Sequence, residues 1–318
     1  MTTQELAPII IFVYNRPWHT QQMITSLQNN KLSKDSLLYI FSDTWETNTY
    51  NESKTEVSKV RQYIHKITGF KEIIIHESTT HKGLANSIIY GVTSVIKKHG
   101  KAIIIEDDLV TNMYFLQFMN EALNLYKDNH NVFSISGHNH RFHMPLGYTK
   151  EIYLAPRIDS WGWATWNDRW SLADWNMCNY NELFSDKKAQ ERFCIGGKDK
   201  LDLLKMQMDG KIDSWAIRWD YTMFLNKSFC LKPYRSLINN IGCDGSGTHY
   251  KKTSKYSETY LWKKRRPPKL RKDIEADPSV WHRLQTYMDN TTYNYFPFLI
   301  KRKISTYFNL FNLHHLNK

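Results

Sequence analysis

The sequence predicts an α/β fold, a mostly parallel Rossmann-like sheet flanked by helices, with a helical and basic C-terminal extension. Three observations predict it. Apolar runs of strand length alternate with apolar residues at helical spacing from residue 8 to residue 136, the signature of parallel strands joined by crossover helices. The strand-like runs are continuously apolar, as strands buried on both faces are. Each early run ends in polar residues, which a parallel sheet gathers along one edge, where such sheets bind ligands.

The elements follow in order. Residues 8–14 read as the first strand, and Asn15-Arg16-Pro17 breaks it, with Pro17 suited to a first helical turn. That helix runs to Asn29, with Met23, Ile24 and Leu27 facing inward. Leu37 to Phe41 is a second strand ending at Ser42-Asp43. Val57, Val60, Ile64 and Ile67 mark a helix that Gly69 stops. Ile73 to Ile75 is a third strand, and Leu84, Ile88, Val92 and Ile96 a helix. Lys101 to Ile105 is a buried strand that runs into Glu106-Asp107-Asp108. Phe115, Phe118, Met119, Ala122 and Tyr126 form another helical stripe, before a strand at Val132 to Ser136.

The second half differs. Residues 137–176 are rich in His, Gly and Trp, and Trp161-Gly162-Trp163 reads as a loop. Residues 213–226 resume helical spacing. Phe229 to Ile238 reads as a short strand interrupted by Pro233, and residues 242–249 as a flexible Gly-rich loop. The expected organisation is two halves of one domain, residues 1–136 and 137–250, followed by a basic arm with an amphipathic tail (251–318).

Composition narrows the function. The 318 residues are 41% hydrophobic, enough for a core without disulfides. The four cysteines lack metal-site spacing and read as reduced thiols. Residues 251–272 hold ten Lys or Arg against one Glu, so most of the net charge of +12 is local. A nucleic-acid partner is not expected, because such proteins carry the basic face on the fold itself. Met1 to Leu6 is too polar for a signal peptide, so the expected location is cytoplasmic. The basic arm and the apolar face of Ile300, Ile304, Phe308 and Phe311 suit peripheral attachment to an anionic membrane surface. Oligomeric state is not legible.

The chemistry centres on the acidic triplet. Adjacent carboxylates repel unless a cation or donor neutralises them. Mg²⁺ and Mn²⁺ prefer carboxylate oxygens and share themselves with phosphates. The triplet therefore reads as a metal–diphosphate site, with Asp108 as the metal ligand and Glu106 and Asp107 holding hydroxyls and water. Asn15, Arg16, Ser42 and Asp43 converge on the same edge. Arg16 suits a diphosphate, as does Lys82 beside a helix start. No GxGxxG turn and no P-loop follows the first strand.

These residues together resemble the GT-A glycosyltransferases, and within them the N-acetylglucosaminyltransferase I-like group. The likeness is carried by Glu106-Asp107-Asp108-Leu109, the helix with Phe115 and Phe118, the strand Val132 to Ser136, the Gly162-Trp163 loop, Trp219-Asp220 and Cys230 to Pro233, over roughly residues 7–250. The resemblance implies a metal-dependent inverting transfer from a nucleotide-diphosphate sugar, a UDP-sugar favoured, to a glycan or lipid-linked acceptor, in a bacterial-type member building surface polysaccharide. It implies that Asp43 lies where the base is read, that His249 is a late metal ligand and that Asp220 is the general base. Asp213 is the rival base, or a helix cap, and a lysine or Arg218 salt bridge is the alternative for Asp220. Trp161, Gly162 and Trp163 would meet the acceptor sugar, while Trp166 suits the core. The alternatives are a sugar-nucleotide nucleotidyltransferase and a non-catalytic membrane- or nucleic-acid-binding protein that uses the basic arm.

Overall fold

A computed structural model describes residues 5–46, 51–245 and 260–292. The first half is a run of strand–helix units. They are β1 (Ile9–Val13), α1 (Pro17–Gln28), β2 (Leu37–Ser42), α2 (Asn51–Ile64), β3 (Glu72–Glu77), α3 (Leu84–His99) and β4 (Lys101–Glu106). A short strand β5 (Leu109–Thr111), helix α4 (Phe115–Leu125) and strand β6 (Val132–Ser136) follow. The second half holds β7 (Ile152–Ala155), β8 (Trp163–Trp166), five helices α5 (Asn167–Trp170), α6 (Tyr180–Ser185), α7 (Lys187–Phe193), α8 (Asp199–Met208) and α9 (Trp215–Leu225), then β9 (Phe229–Pro233), β10 (Ile238–Asn240) and α10 (Pro278–Thr292).

Eight strands form one sheet in the order β3-β2-β1-β4-β8-β6-β9-β7. β1 to β4 are mutually parallel where they pair, and β6 is parallel to β9. β8 and β7 run the other way. Alternate residues of β1 feed two cores: Ile9, Ile11 and Val13 pack toward α1 and α4, and Ile10 and Phe12 toward α3. Each such buried side chain contributes roughly 1.5–3 kcal/mol over exposure.

The structure corrects the sequence reading at β8. Trp163 is not in a loop: it opens a strand that wedges between β4 and β6, opposite Ile104 and Ser136. Trp163 faces the α3 side and Ala164 and Trp166 the α4 side, so the strand is buried on both faces. Gly162 makes the turn into it at φ +62, and a Cβ there would stand 2.7 Å from the Ile238 side chain. Neither residue offers its side to an acceptor. β6 accordingly lies one strand further from β4 than simple alternation predicts. The Gly-rich segment is likewise tied down at its start, because β10 pairs antiparallel with β5.

The described part of the basic arm is also docked. Trp262 is buried in the main core. Lys264, Arg266 and the Lys269 N–H all converge on Glu151. Helix α10 then packs Val280, Leu284 and Met288 against Phe142 and Tyr153. The tail at 300–311 and the stretch 251–259 lie outside the described residues. No described helix is long and apolar enough to cross a membrane.

Candidate functional site

Register builds the site. Val13 stands opposite Ser42 and Phe12 opposite Glu106, so the residues after β1, β2 and β4 emerge on one edge. Arg16 crosses from the end of β1 to the triplet. Its Nη1 lies 2.9 Å from Asp108 Oδ2 and 3.5 Å from Asp107 Oδ1. β5 and β10 wall the other side: the Ile241 N–H donates to the Asp108 carbonyl at 2.9 Å. At Gly242 a Cβ would come within 2.0 Å of Asp108 Oδ2 and 2.7 Å of Arg16 Nη2, so a side chain there would push both groups out of place. Cys243 is buried beside it, its thiol pushed up to about 11 by burial and the Asp108 charge. Asp244 reaches His19, with Oδ2 and Nε2 3.0 Å apart.

The triplet is under-neutralised. Burial, then Asp108 and Asp107, push Glu106 up to about 8, against the pull of Arg16. Burial and Asp108 push Asp107 up to about 7, with Arg16 and a backbone N–H opposing. One guanidinium serves three carboxyls. Meanwhile Arg16 Nε and Nη2 are buried and have no acceptor among the described residues. Unmet donors beside unmet acceptors fit an anion and a cation that enter together, since buried polar groups are otherwise nearly always paired. A divalent ion and a diphosphate match this donor set.

Asp43 is placed differently from the expectation. Its carboxylate accepts the backbone N–H groups of Thr44, Lys82 and Gly83, and lies 3.0 Å from His81 Nδ1. These donors occupy most of the oxygens' acceptor sites, so Asp43 fixes the 81–83 turn over the sheet edge. Lys82 turns its ammonium over the Tyr90 ring at 4.0 Å. Both line a pocket of ≈ 330 Å³ with Phe41, Ser42, His76 and Tyr90. Asn15 follows β1, its Nδ2 3.4 Å from Ser53 Oγ. Ser42 is buried and receives Arg61 Nε at 3.4 Å.

Asp220 does not open onto this edge. It is 2% exposed, bonded to Lys200 Nζ at 2.9 Å and to the Ile158 N–H at 2.8 Å. The lysine salt bridge weighed against the base role is the arrangement found. Asp213 is the exposed one, held by Arg218 Nη2 at 2.8 Å, while Ser214 caps α9. Trp215 stacks on Trp163 at 4.8 Å, and Trp163 stands opposite Ile104 in β4. The first turn of α9, and Asp213 just before it, therefore lie toward the edge that carries the triplet.

Sequence reasoning missed a second ionic cluster. Asp159 Oδ2 receives Lys232 Nζ at 2.6 Å and His138 Nδ1 at 2.8 Å, with His140 Nε2 at 3.4 Å. His138, His140 and Asp159 are near enough to share one ion. Burial, and after it nearby charge including Lys232, keeps both imidazoles below their usual range. Lys232 already supplies the cation that Asp159 needs. Trp161, half-buried, lays its ring on His138 at 4.4 Å. The two histidines were visible only as part of a His-rich stretch, because their partners come from residues 159 and 232. His249 lies outside the described residues, a few positions beyond Gly242.

No protein-family profile and no curated protein matches the chain. Among solved structures it is similar to a mannosyltransferase, PcManGT from Pyrobaculum calidifontis, in complex with GDP-Man and Mn²⁺ (11% identity, TM-score 0.34, 52% of this chain and 46% of that one). It is similar to S. aureus TarS 1-349 in complex with UDP-GlcNAc (10%, TM-score 0.38, 73% and 57%). A UDP-glucose pyrophosphorylase complexed with UDP-glucose aligns at 10% identity and TM-score 0.35, over 72% and 90%. The chain thus spans about half the length of the first two. At these scores the function rests on the site's own chemistry.

Proposed function

We propose that this chain is a metal-dependent, inverting glycosyltransferase that takes a nucleoside-diphosphate sugar, a UDP-sugar favoured, and delivers the sugar to a hydroxyl of a glycan or lipid-linked acceptor. The carrying observation is the mismatch at the edge: three crowded carboxyls beside one guanidinium with two buried nitrogens that have no partner among the described residues. Asp108 and Asp107 would hold Mn²⁺ or Mg²⁺, with His249 as a further ligand from the segment that leaves Gly242. Bound there, the ion supplies Lewis-acid stabilisation of the charge on the departing diphosphate.

The protein's own groups do the rest. Arg16 donates to phosphate oxygens, a role for which its fork is suited. The turn fixed by Asp43 and the pocket lined by Phe41, His76 and Tyr90 would take the nucleoside. Asp213 replaces Asp220 as the general base, because a base must reach the acceptor hydroxyl and Asp213 is the exposed carboxylate. Asp213→Asn is expected to keep nucleotide-sugar binding and lose transfer; full turnover would return the base to another group. Trp161 is the acceptor platform.

The test is thermal shift of the full chain with a nucleotide panel, with and without Mn²⁺. Expected is metal-dependent stabilisation by one nucleoside diphosphate, lost in Asp108→Asn and kept in His140→Ala. Stabilisation that survives Asp108→Asn would remove the triplet from the reading.

A further inference from the structure

We propose that Arg16 is a placeholder for the divalent cation. It holds Asp107 and Asp108 until a diphosphate draws it away, so that metal and nucleotide load together. This rests on the metal–diphosphate reading above and deepens it.

The argument is positional. Arg16 Nη1 stands 2.9 Å from one carboxylate oxygen and 3.5 Å from the other, where an ion bridging the two would stand. A Mg²⁺-class ion needs oxygens at about 2.1 Å, so ion and guanidinium nitrogen cannot share that position. Gly242 leaves no room for a side chain on the far side, since a Cβ there would collide with both Asp108 Oδ2 and Arg16 Nη2 as they stand. Arg16 is poorly held in its resting place. Nη1 alone finds acceptors, while Nε and Nη2 are buried with none among the described residues. Two phosphate oxygens would satisfy those donors and move the positive charge off the carboxylates.

The consequence is a coupling. Metal alone must displace a guanidinium whose other nitrogens find no acceptor among the described residues, and a diphosphate supplies acceptors. Each ligand then raises affinity for the other by the same factor.

The experiment measures Mn²⁺ binding to the full chain, alone and with UDP, in wild type and Arg16→Gln. Expected is Mn²⁺ binding to Arg16→Gln about tenfold tighter than to wild type without nucleotide, a coupling of the usual allosteric size. UDP should bind the variant more weakly, and its enhancement of Mn²⁺ binding should shrink. If Arg16→Gln fails to fold, NMR of ¹⁵N-arginine wild type decides: the Arg16 Nε–H signal, assigned by its loss in Arg16→Lys, should move when UDP is added without metal. If wild type binds Mn²⁺ but Arg16→Gln binds it no tighter, or if UDP binds and the signal stays put, the exchange is overturned alone. If wild type binds Mn²⁺ neither alone nor with UDP, the metal–diphosphate reading falls and the exchange with it.

Discussion

At the end of β4, Glu106, Asp107 and Asp108 face the single guanidinium of Arg16. Where β7 and β9 meet α8 and α9, Asp159, Asp199 and Asp220 face Lys232, Arg157 and Lys200. Both are buried ionic clusters. The second pairs its three acids with three cations: Arg157 grips Asp199 through two nitrogens at 2.7 Å each, and Lys200 also donates to the Pro156 carbonyl at 2.8 Å, which leaves only His138 Nε2 buried without a partner in this cluster among the described residues. Asp159, the partner of Lys232 and His138, is held well below the usual carboxylate range against its own burial. The first cluster has acids pushed upward and two guanidinium nitrogens with no acceptor among the described residues. A cluster whose acids each hold a cation is a structural ion-pair network, whereas crowded, upshifted carboxyls with one charge partner mark a candidate ligand site.

The largest expected effect breaks the matched cluster. Asp220→Ala strands the Lys200 ammonium and the Ile158 N–H, and removing one member of a buried pair costs roughly 3–5 kcal/mol. Urea unfolding measures it. A loss under about 1 kcal/mol would mean that the cluster is wetter than its geometry shows.

The mismatched cluster should respond in the opposite sense. Glu106 has its pKa raised from 4.5 to about 8. A raised carboxyl contributes stability that is present below 4.5 and lost as pH rises through about 8. With metal chelated, Glu106→Gln is therefore expected to match wild type at acid pH and to exceed it in melting temperature above about pH 8. Equal melting curves at both ends would show that Glu106 is solvated.

The contrast also explains what the sequence disclosed. Every strand from β1 to β4 was legible, because short continuous apolar runs with polar ends are a local signal, present even in β3, which the fold leaves only half-buried. The triplet and Arg16 were legible for the same reason: strand register carries them to one edge. β8 was not, since Trp163 to Trp166 becomes a strand only when β4 and β6 accept it from both sides. The Asp220 assignment failed likewise. Its partner Lys200 is twenty positions away on α8, and no local spacing distinguishes a buried ion pair from a base. Ile67 was read as helical, yet α2 ends at Ile64 while Ile67 stays buried beyond it.

The smallest effect lies between these extremes, at the strap that carries the chain from Tyr260 to α10. Glu151 is drawn down to about 2, first by hydrogen bonds from Arg266, with Lys264 and the Lys269 N–H adding to the pull. A depressed carboxyl gives stability that is present above 4.5 and lost as pH falls through about 2. The partners are half-exposed, so solvent screens the pair, and Glu151→Ala should cost only about 1 kcal/mol globally. Trp262 remains anchored by its own burial and by its indole N–H on the Arg266 carbonyl at 2.6 Å. Local loosening should therefore exceed the global loss. Hydrogen exchange is expected to quicken at residues 262–270 while the α4 and β6 amides keep their rates. Uniform quickening across the sheet would instead make Glu151 part of the matched, fold-stabilising class. Unchanged exchange would mean that Trp262 holds the strap by itself and that its basic residues stand ready for another surface.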